Sequence, residues 1–109
     1  MLDSLDMKEK DREFIVKKCT AAFEDQIVIT HGTDTMTQTA KVLGGKNLKK
    51  TIIMTGAMIP YKFGTSDGLF NIASALAYVQ TMPHGVYIAM NGRVFLHDKV
   101  FKNRETGIF

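Results

Sequence analysis

The sequence predicts an α/β fold built on a parallel sheet. Three observations predict it. Short apolar runs stand at Ile27-Val28-Ile29, Ile52-Ile53-Met54 and Val86-Tyr87-Ile88-Ala89-Met90. Each run leads into a glycine-containing turn, at Gly32, Gly56 and Gly92. The segments between them carry apolar residues at helical spacing. Helical crossovers between apolar strands make the strands parallel and the connections right-handed.

The elements follow in order. Asp3-Ser4-Leu5-Asp6-Met7 is a polar start, and Asp6 is placed to cap a helix with Glu9 as its partner. Phe14, Ile15, Lys18, Cys19 and Ala22 recur near period 3.6, which predicts an amphipathic helix from Lys8 to Phe23. Gln26 to Thr30 is the first strand. The next helix starts near Thr35, turns Met36, Thr39, Ala40 and Leu43 inward, and stops at Gly44-Gly45. Thr51 to Thr55 is the second strand. A longer loop, Ile59 to Thr65, leads to a helix capped by Ser66 or Asp67. Its expected apolar face is Phe70, Ile72, Ala73, Leu76, Ala77 and Val79. Pro83-His84-Gly85 turns into the third strand, Val86 to Met90. Val94-Phe95-Leu96 and Val100-Phe101 read as two short strands joined at His97-Asp98. The sum is a flavodoxin-like or Rossmann-like parallel sheet with flanking helices, one domain over residues 1–109. It reads as incomplete. It opens with a helix where such domains open with a central strand, and three parallel strands leave long edges unpaired. A further copy or a further piece of the domain is expected to cover them, so a homo-oligomer is expected.

Composition narrows the function classes. The chain has 109 residues, 45% of them hydrophobic and 23% charged, the balance of a globular domain with one core. No apolar run approaches the roughly 18–20 residues that span a membrane. The start lacks a basic segment followed by an apolar one, so no signal peptide is expected. Cys19 is the only cysteine, which excludes a disulfide framework and fits a reducing cytoplasm. On its helical stripe it reads as a small core residue. The net charge is +3, but Lys8, Lys10, Arg12, Lys17 and Lys18 alternate with Asp6, Glu9, Asp11 and Glu13. Mixed signs at that spacing read as a solvated helix face and argue against nucleic acid as a partner.

The chemistry converges on the first strand end. Ile27-Val28-Ile29-Thr30 delivers His31-Gly32-Thr33-Asp34-Thr35 to the carboxyl edge of the sheet, where open α/β folds bind ligands. The turn lacks the glycine spacing of a dinucleotide site and the Gly-Lys-Ser/Thr of a P-loop, and Asp34 repels phosphate, so no nucleotide cofactor is expected. No Gly-x-Ser-x-Gly elbow occurs. His31, His84 and His97 are isolated from one another, so no metal site is expected. His31 reads as a supporting or packed residue rather than a base. Hydroxyl, carboxylate and amine remain. A threonine oxygen can attack a carbonyl or hold a water when a lysine of depressed pKa stands within reach. Lys99 and Lys102, after the third strand, are read as lying on the side that reaches Thr33. Alternatively both lysines are surface groups and Thr33-Asp34 merely caps a helix; spacing alone does not choose.

Several blocks together resemble the bacterial-type L-asparaginase/glutaminase family. They are Asp3 to Met7, Ile29-Thr30-His31-Gly32-Thr33-Asp34-Thr35-Met36, Thr55-Gly56-Ala57-Met58-Ile59-Pro60, Ser66-Asp67-Gly68-Leu69-Phe70-Asn71, Ala89-Met90-Asn91-Gly92, and Lys102 at family spacing from Met90. The resemblance covers essentially the whole chain. It implies hydrolysis of L-asparagine to L-aspartate and ammonia, without a cofactor. By position, Thr33 resembles a catalytic hydroxyl, Lys102 its amine partner, and Asp34 the carboxylate of the same cluster that also pairs with the substrate α-ammonium. Ser4 resembles the hydroxyl that binds the substrate α-carboxylate, and the backbone of Ala57 the carbonyl that accepts from the substrate amide. Two family features have no counterpart here. Members open on a strand ending in Thr-Gly-Gly-Thr, whose first threonine is the usual nucleophile, and a tyrosine follows on a mobile loop. Members also carry a smaller C-terminal domain that completes the site of a neighbouring subunit. Leu5 stands where the family has glutamine. The resemblance therefore implies the middle of an asparaginase, with little or no activity in isolation. Two other readings stand beside it: an amidotransferase-type subunit that releases ammonia, and a non-catalytic module for interaction or assembly.

Overall fold

A computed structural model describes residues 9–57 and 67–99. The elements are α1 (Glu9–Ala21), β1 (Gln26–Thr30), α2 (Met36–Gly44), β2 (Thr51–Thr55), α3 (Gly68–Val79), β3 (Gly85–Met90) and β4 (Arg93–Leu96). The four strands form one mixed sheet in the order β1-β2-β3-β4. β1, β2 and β3 are parallel, with Val28 opposite Ile53 and Ile53 opposite Tyr87. The predicted α/β class and the parallel core of the sheet are as observed.

Alternation along the strands sorts the side chains into two cores. Ile52 and Met54 of β2 and Val86, Ile88 and Met90 of β3 meet Cys19 of α1 and Met36, Ala40 and Leu43 of α2. Ile53, Tyr87 and Ala89 face the other way and meet Ala75 and Val79 of α3. β2 is buried along its whole length, as a central strand covered on both faces must be. The inward residues of α2 are the four predicted. Cys19 is a buried core residue, and burial raises its thiol pKa against the opposing pull of Lys50.

Lysine 50 closes α1. Its Nζ donates to Cys19 O, in the last turn of the helix, and to Ala22 O, in the residue just past its end. The ammonium also sits at the negative end of the helix dipole.

Four expectations are corrected. First, α3 turns Gly68, Asn71, Ala75 and Val79 inward, while Leu69, Phe70 and Leu76 are exposed. That helix is apolar on nearly every side, so periodicity had no polar face to orient it. Second, β4 joins the main sheet through a hairpin with β3 that was not expected, where it runs antiparallel and Met90 opposes Arg93. Its turn is Asn91-Gly92, at φ 57° and 75°. Two successive positive φ values define the hairpin turn for which Asn-Gly is the strongest signal. Val100 and Phe101 lie outside the described residues. Third, α1 ends at Ala21, two residues earlier than expected, and Phe14 on its predicted stripe is 61% exposed. Fourth, Arg12 is not on a solvated face; it is 5% exposed. β4 covers the outer side of β3. β1 has a strand partner on one side only among the described residues. Beside it, an apolar groove of about 430 Å³ opens between Phe14, Ile15 and Cys19 of α1 and Ile27 and Ile29 of β1.

Candidate active site

Parallel strands put their carboxyl ends together, and here two of those ends touch. The His31 backbone N–H donates to Thr55 O at 2.9 Å, which continues the β1–β2 pairing into the turn. Gly56 then passes so close to the His31 carbonyl that a Cβ at this position would collide with it. The Thr33 methyl and Met36 Cε would press on the same Cβ. Glycine is therefore required for close approach and not for a special φ. The result seats Thr33 against the end of β2, one residue from Ala57.

A depression of about 380 Å³ opens at this end, lined by Thr30, His31, Gly32, Gly56, Ala57, Gly68 and Ile72. Its size suits a small molecule. Ala57 is exposed at its rim, while Thr33 and Asp34, half-buried in the same turn, are not among the residues that line it. Helix α2 begins at Met36 with Thr35 as N-cap, and Thr35 makes no capping bond through its side chain. Thr33 and Asp34 thus stand just before the N-cap position. Ser4 and Lys102 lie outside the described residues. Lys99 is corrected. The hairpin reverses the chain, so His97 N donates to Val86 O and Lys99 N to Leu96 O. Lys99 therefore lies at the amino end of β3, roughly a strand length from Thr33 (about 3.3 Å per residue).

Two supports were not legible as such. Asn71, 1% exposed, ties three elements at the rim. Its Nδ2 donates to Gly56 O at 2.8 Å and to Asp67 Oδ2 at 3.0 Å, and its Oδ1 accepts from Asn91 N–H at 3.3 Å. The ends of β2 and β3 and the start of α3 are thereby joined through one amide. The second support lies under the Thr33 turn. Arg12 Nε donates to Thr39 Oγ1 at 3.1 Å, and Thr39 Oγ1 stands 3.0 Å from His31 Nε2. His31 Nδ1 stands 2.6 Å from Gly32 O. His31 is held below the usual histidine pKa, chiefly by burial; the Gly32 carbonyl pulls the other way and the Arg12 charge adds to the lowering. Among the described residues no group of three or more His, Cys, Asp and Glu side chains is arranged to hold a metal ion. No helix among them is long and apolar enough to cross a membrane.

The turn carrying Thr33 and Asp34 thus lies next to a small depression at the carboxyl edge of the sheet, where open α/β folds bind ligands. Residues 1–108 match the family described as asparaginase, N-terminal. The chain belongs to the asparaginase family. L-asparaginase 1 of Escherichia coli strain K12 is 35% identical over 98% of this chain and 33% of its own length. The L-asparaginase of Thermococcus kodakarensis is 32% identical over 98% of this chain and 34% of its own. The crystal structure of L-asparaginase I from Vibrio cholerae superposes with a TM-score of 0.85 at 35% identity, covering 94% of this chain and 33% of that one. This asparaginase-family chain thus spans about a third of the length of the relatives it matches.

Proposed function

We propose that this chain forms the substrate-anchoring part of an L-asparagine amidohydrolase. Asp34 pairs with the substrate α-ammonium, Ser4 with its α-carboxylate, and the Ala57 carbonyl accepts from the side-chain amide. Thr33 and Lys102 activate a hydroxyl or water: the neutral lysine amine takes the proton, oxygen bonds to the amide carbon, the proton passes on to the amide nitrogen, and the C–N bond breaks to release ammonia; where a hydroxyl attacks, water then hydrolyses the resulting ester to L-aspartate and restores the hydroxyl. The steps are redox-neutral and need no cofactor. One observation carries the reading: the β1 turn bearing Thr33 and Asp34 closes on Gly56-Ala57 around a depression of about 380 Å³. A zwitterionic substrate needs an anion for its amine and donors for its carboxylate, and this residue set supplies both. The 109-residue sequence contains no Thr-Gly-Gly-Thr, so by itself the chain is proposed to bind without appreciable turnover, in the cytoplasm and as a homo-oligomer.

The test is a titration of the purified chain with L-aspartate, followed by amide shifts, beside an ammonia assay with L-asparagine. Expected are shifts at residues 31–35 and 56–57 that Asp34→Asn abolishes, and no ammonia. Turnover of about 1–1000 per second would overturn the claim of inactivity. An assembly module is the second reading, favoured by the β1 edge, paired on one side only among the described residues, and by exposed Leu69, Phe70 and Leu76 on α3. Self-association without any response to aspartate would select it.

A further inference from the structure

The Arg12–Thr39–His31 chain reaches from α1 through α2 into the turn that carries Thr33. Arg12 Nη1 donates to Glu9 Oε1 and Nη2 to Gln38 Oε1, both at 3.0 Å, so the guanidinium is clamped from two sides. That leaves Nε directed at Thr39 Oγ1. Thr39 is fully buried and His31 is 4% exposed. The Gly32 carbonyl can only accept, so Nδ1 carries the proton in the bond between them. In the neutral ring Nε2 then has a lone pair and no hydrogen, and its partner at 3.0 Å is the Thr39 hydroxyl. Nε2 without a hydrogen can only accept, so in this pair the Thr39 hydroxyl donates to Nε2 while its oxygen accepts from Arg12 Nε. Gly32 C=O belongs to the peptide whose N–H is that of Thr33. A trans peptide is planar, so fixing the carbonyl fixes the direction of the Thr33 amide.

We propose that Arg12 and Thr39 are positioning residues: they set His31 in the Nδ1–H tautomer, and the imidazole locks the Gly32–Thr33 peptide plane. This inference deepens the proposed function, because the turn it locks carries Thr33 and Asp34. It assigns His31 no proton transfer. Its work is geometric, and it depends on a hydroxyl at position 39 rather than on side-chain volume.

The test uses the full chain, ¹⁵N-labelled, at pH 7.5, with long-range proton–nitrogen correlations of the imidazole. Wild type should show His31 as the Nδ1–H tautomer, in at least tenfold excess. Thr39→Val, which keeps the shape and removes the hydroxyl, should cut that excess severalfold and move the Gly32, Thr33 and Asp34 amides. Thr39→Ser should restore both. Arg12→Gln should give a smaller change in the same direction. An Nε2–H tautomer or an imidazolium in wild type would overturn the proposal outright, whether or not any variant folds. So would an unchanged tautomer and unchanged turn amides in Thr39→Val. L-aspartate added to the same samples separates the two readings. If wild type binds, Thr39→Val should weaken binding about tenfold and Thr39→Ser should not. If wild type does not bind, the substrate reading fails, while the tautomer still decides the positioning role.

Discussion

Replacing Asn71 by leucine should loosen the whole carboxyl edge of the sheet. Leucine has nearly the same volume, so little cavity term enters and the cost is that of three hydrogen bonds. The Nδ2 bond to Gly56 O, at 2.8 Å and half-buried, contributes about 1–1.5 kcal/mol. The bond to Asp67 Oδ2 at 3.0 Å is charge-assisted, but Asp67 is half-exposed, so about 1 kcal/mol is appropriate. The Asn91 amide at 3.3 Å is exposed, regains water, and adds about 0.5 kcal/mol. Burial of the leucine side chain returns up to about 1 kcal/mol. The net loss is about 2 kcal/mol, which for a domain of this size lowers Tm by roughly 8–16 °C. Urea unfolding followed by far-UV circular dichroism measures it, with the m-value unchanged. Asn71→Asp should be worse at pH 7, since it sets a second anion against Asp67 and a carbonyl. A loss below about 0.5 kcal/mol in Asn71→Leu would refute the claim that this amide joins the strand ends.

The remaining predictions concern the same edge and its supports. Gly56→Ala must push the β1 turn away from β2, so it should abolish aspartate-induced amide shifts and cost about 2–4 kcal/mol; retained binding in the titration would contradict the close approach. Lys50→Met removes the cation closing α1 and should cost about 1–2 kcal/mol in urea unfolding; an unchanged midpoint would show that water replaces the ammonium. His31 has a lowered pKa in the folded chain. Below about pH 6.5 the unfolded chain takes up a proton that the folded chain refuses, so stability present above that pH falls as acid is added, by up to about 1.4 kcal/mol per unit. His31→Gln should flatten urea midpoints between pH 7.5 and 5.5; parallel curves for the two proteins would refute the assignment.

Much of this architecture was legible because apolar period settled it. β1, β2, β3 and α2 each had one unambiguous pattern, and the inward residues of α2 emerged one for one. α3 failed for the opposite reason. Leu69, Phe70 and Leu76 are as apolar as its buried residues, so only the packing of Asn71 and Ala75 against the sheet reveals the facing side. The β3–β4 hairpin was missed because Asn91-Gly92 reads equally well as a strand end and as a hairpin turn, and positive φ at both residues decides it. That error also placed Lys99 at the wrong end of the sheet. Thr33 and Asp34 were singled out as candidates from the strand-to-helix transition. Arg12 escaped because charge alternation signals a solvated face unless a buried acceptor such as Thr39 lies across the interface, 27 residues away.

The sheet order β1-β2-β3-β4 repeats the order of synthesis. No strand must enter between two that have already paired, so each new strand finds a finished edge and closes only one crossover loop. Assembly by accretion of this kind keeps the entropy of each step low. It also builds from β1 outward in a single direction. Among the described residues the side of β1 away from β2 has no strand partner, and a strand joining there disturbs none of the described pairs.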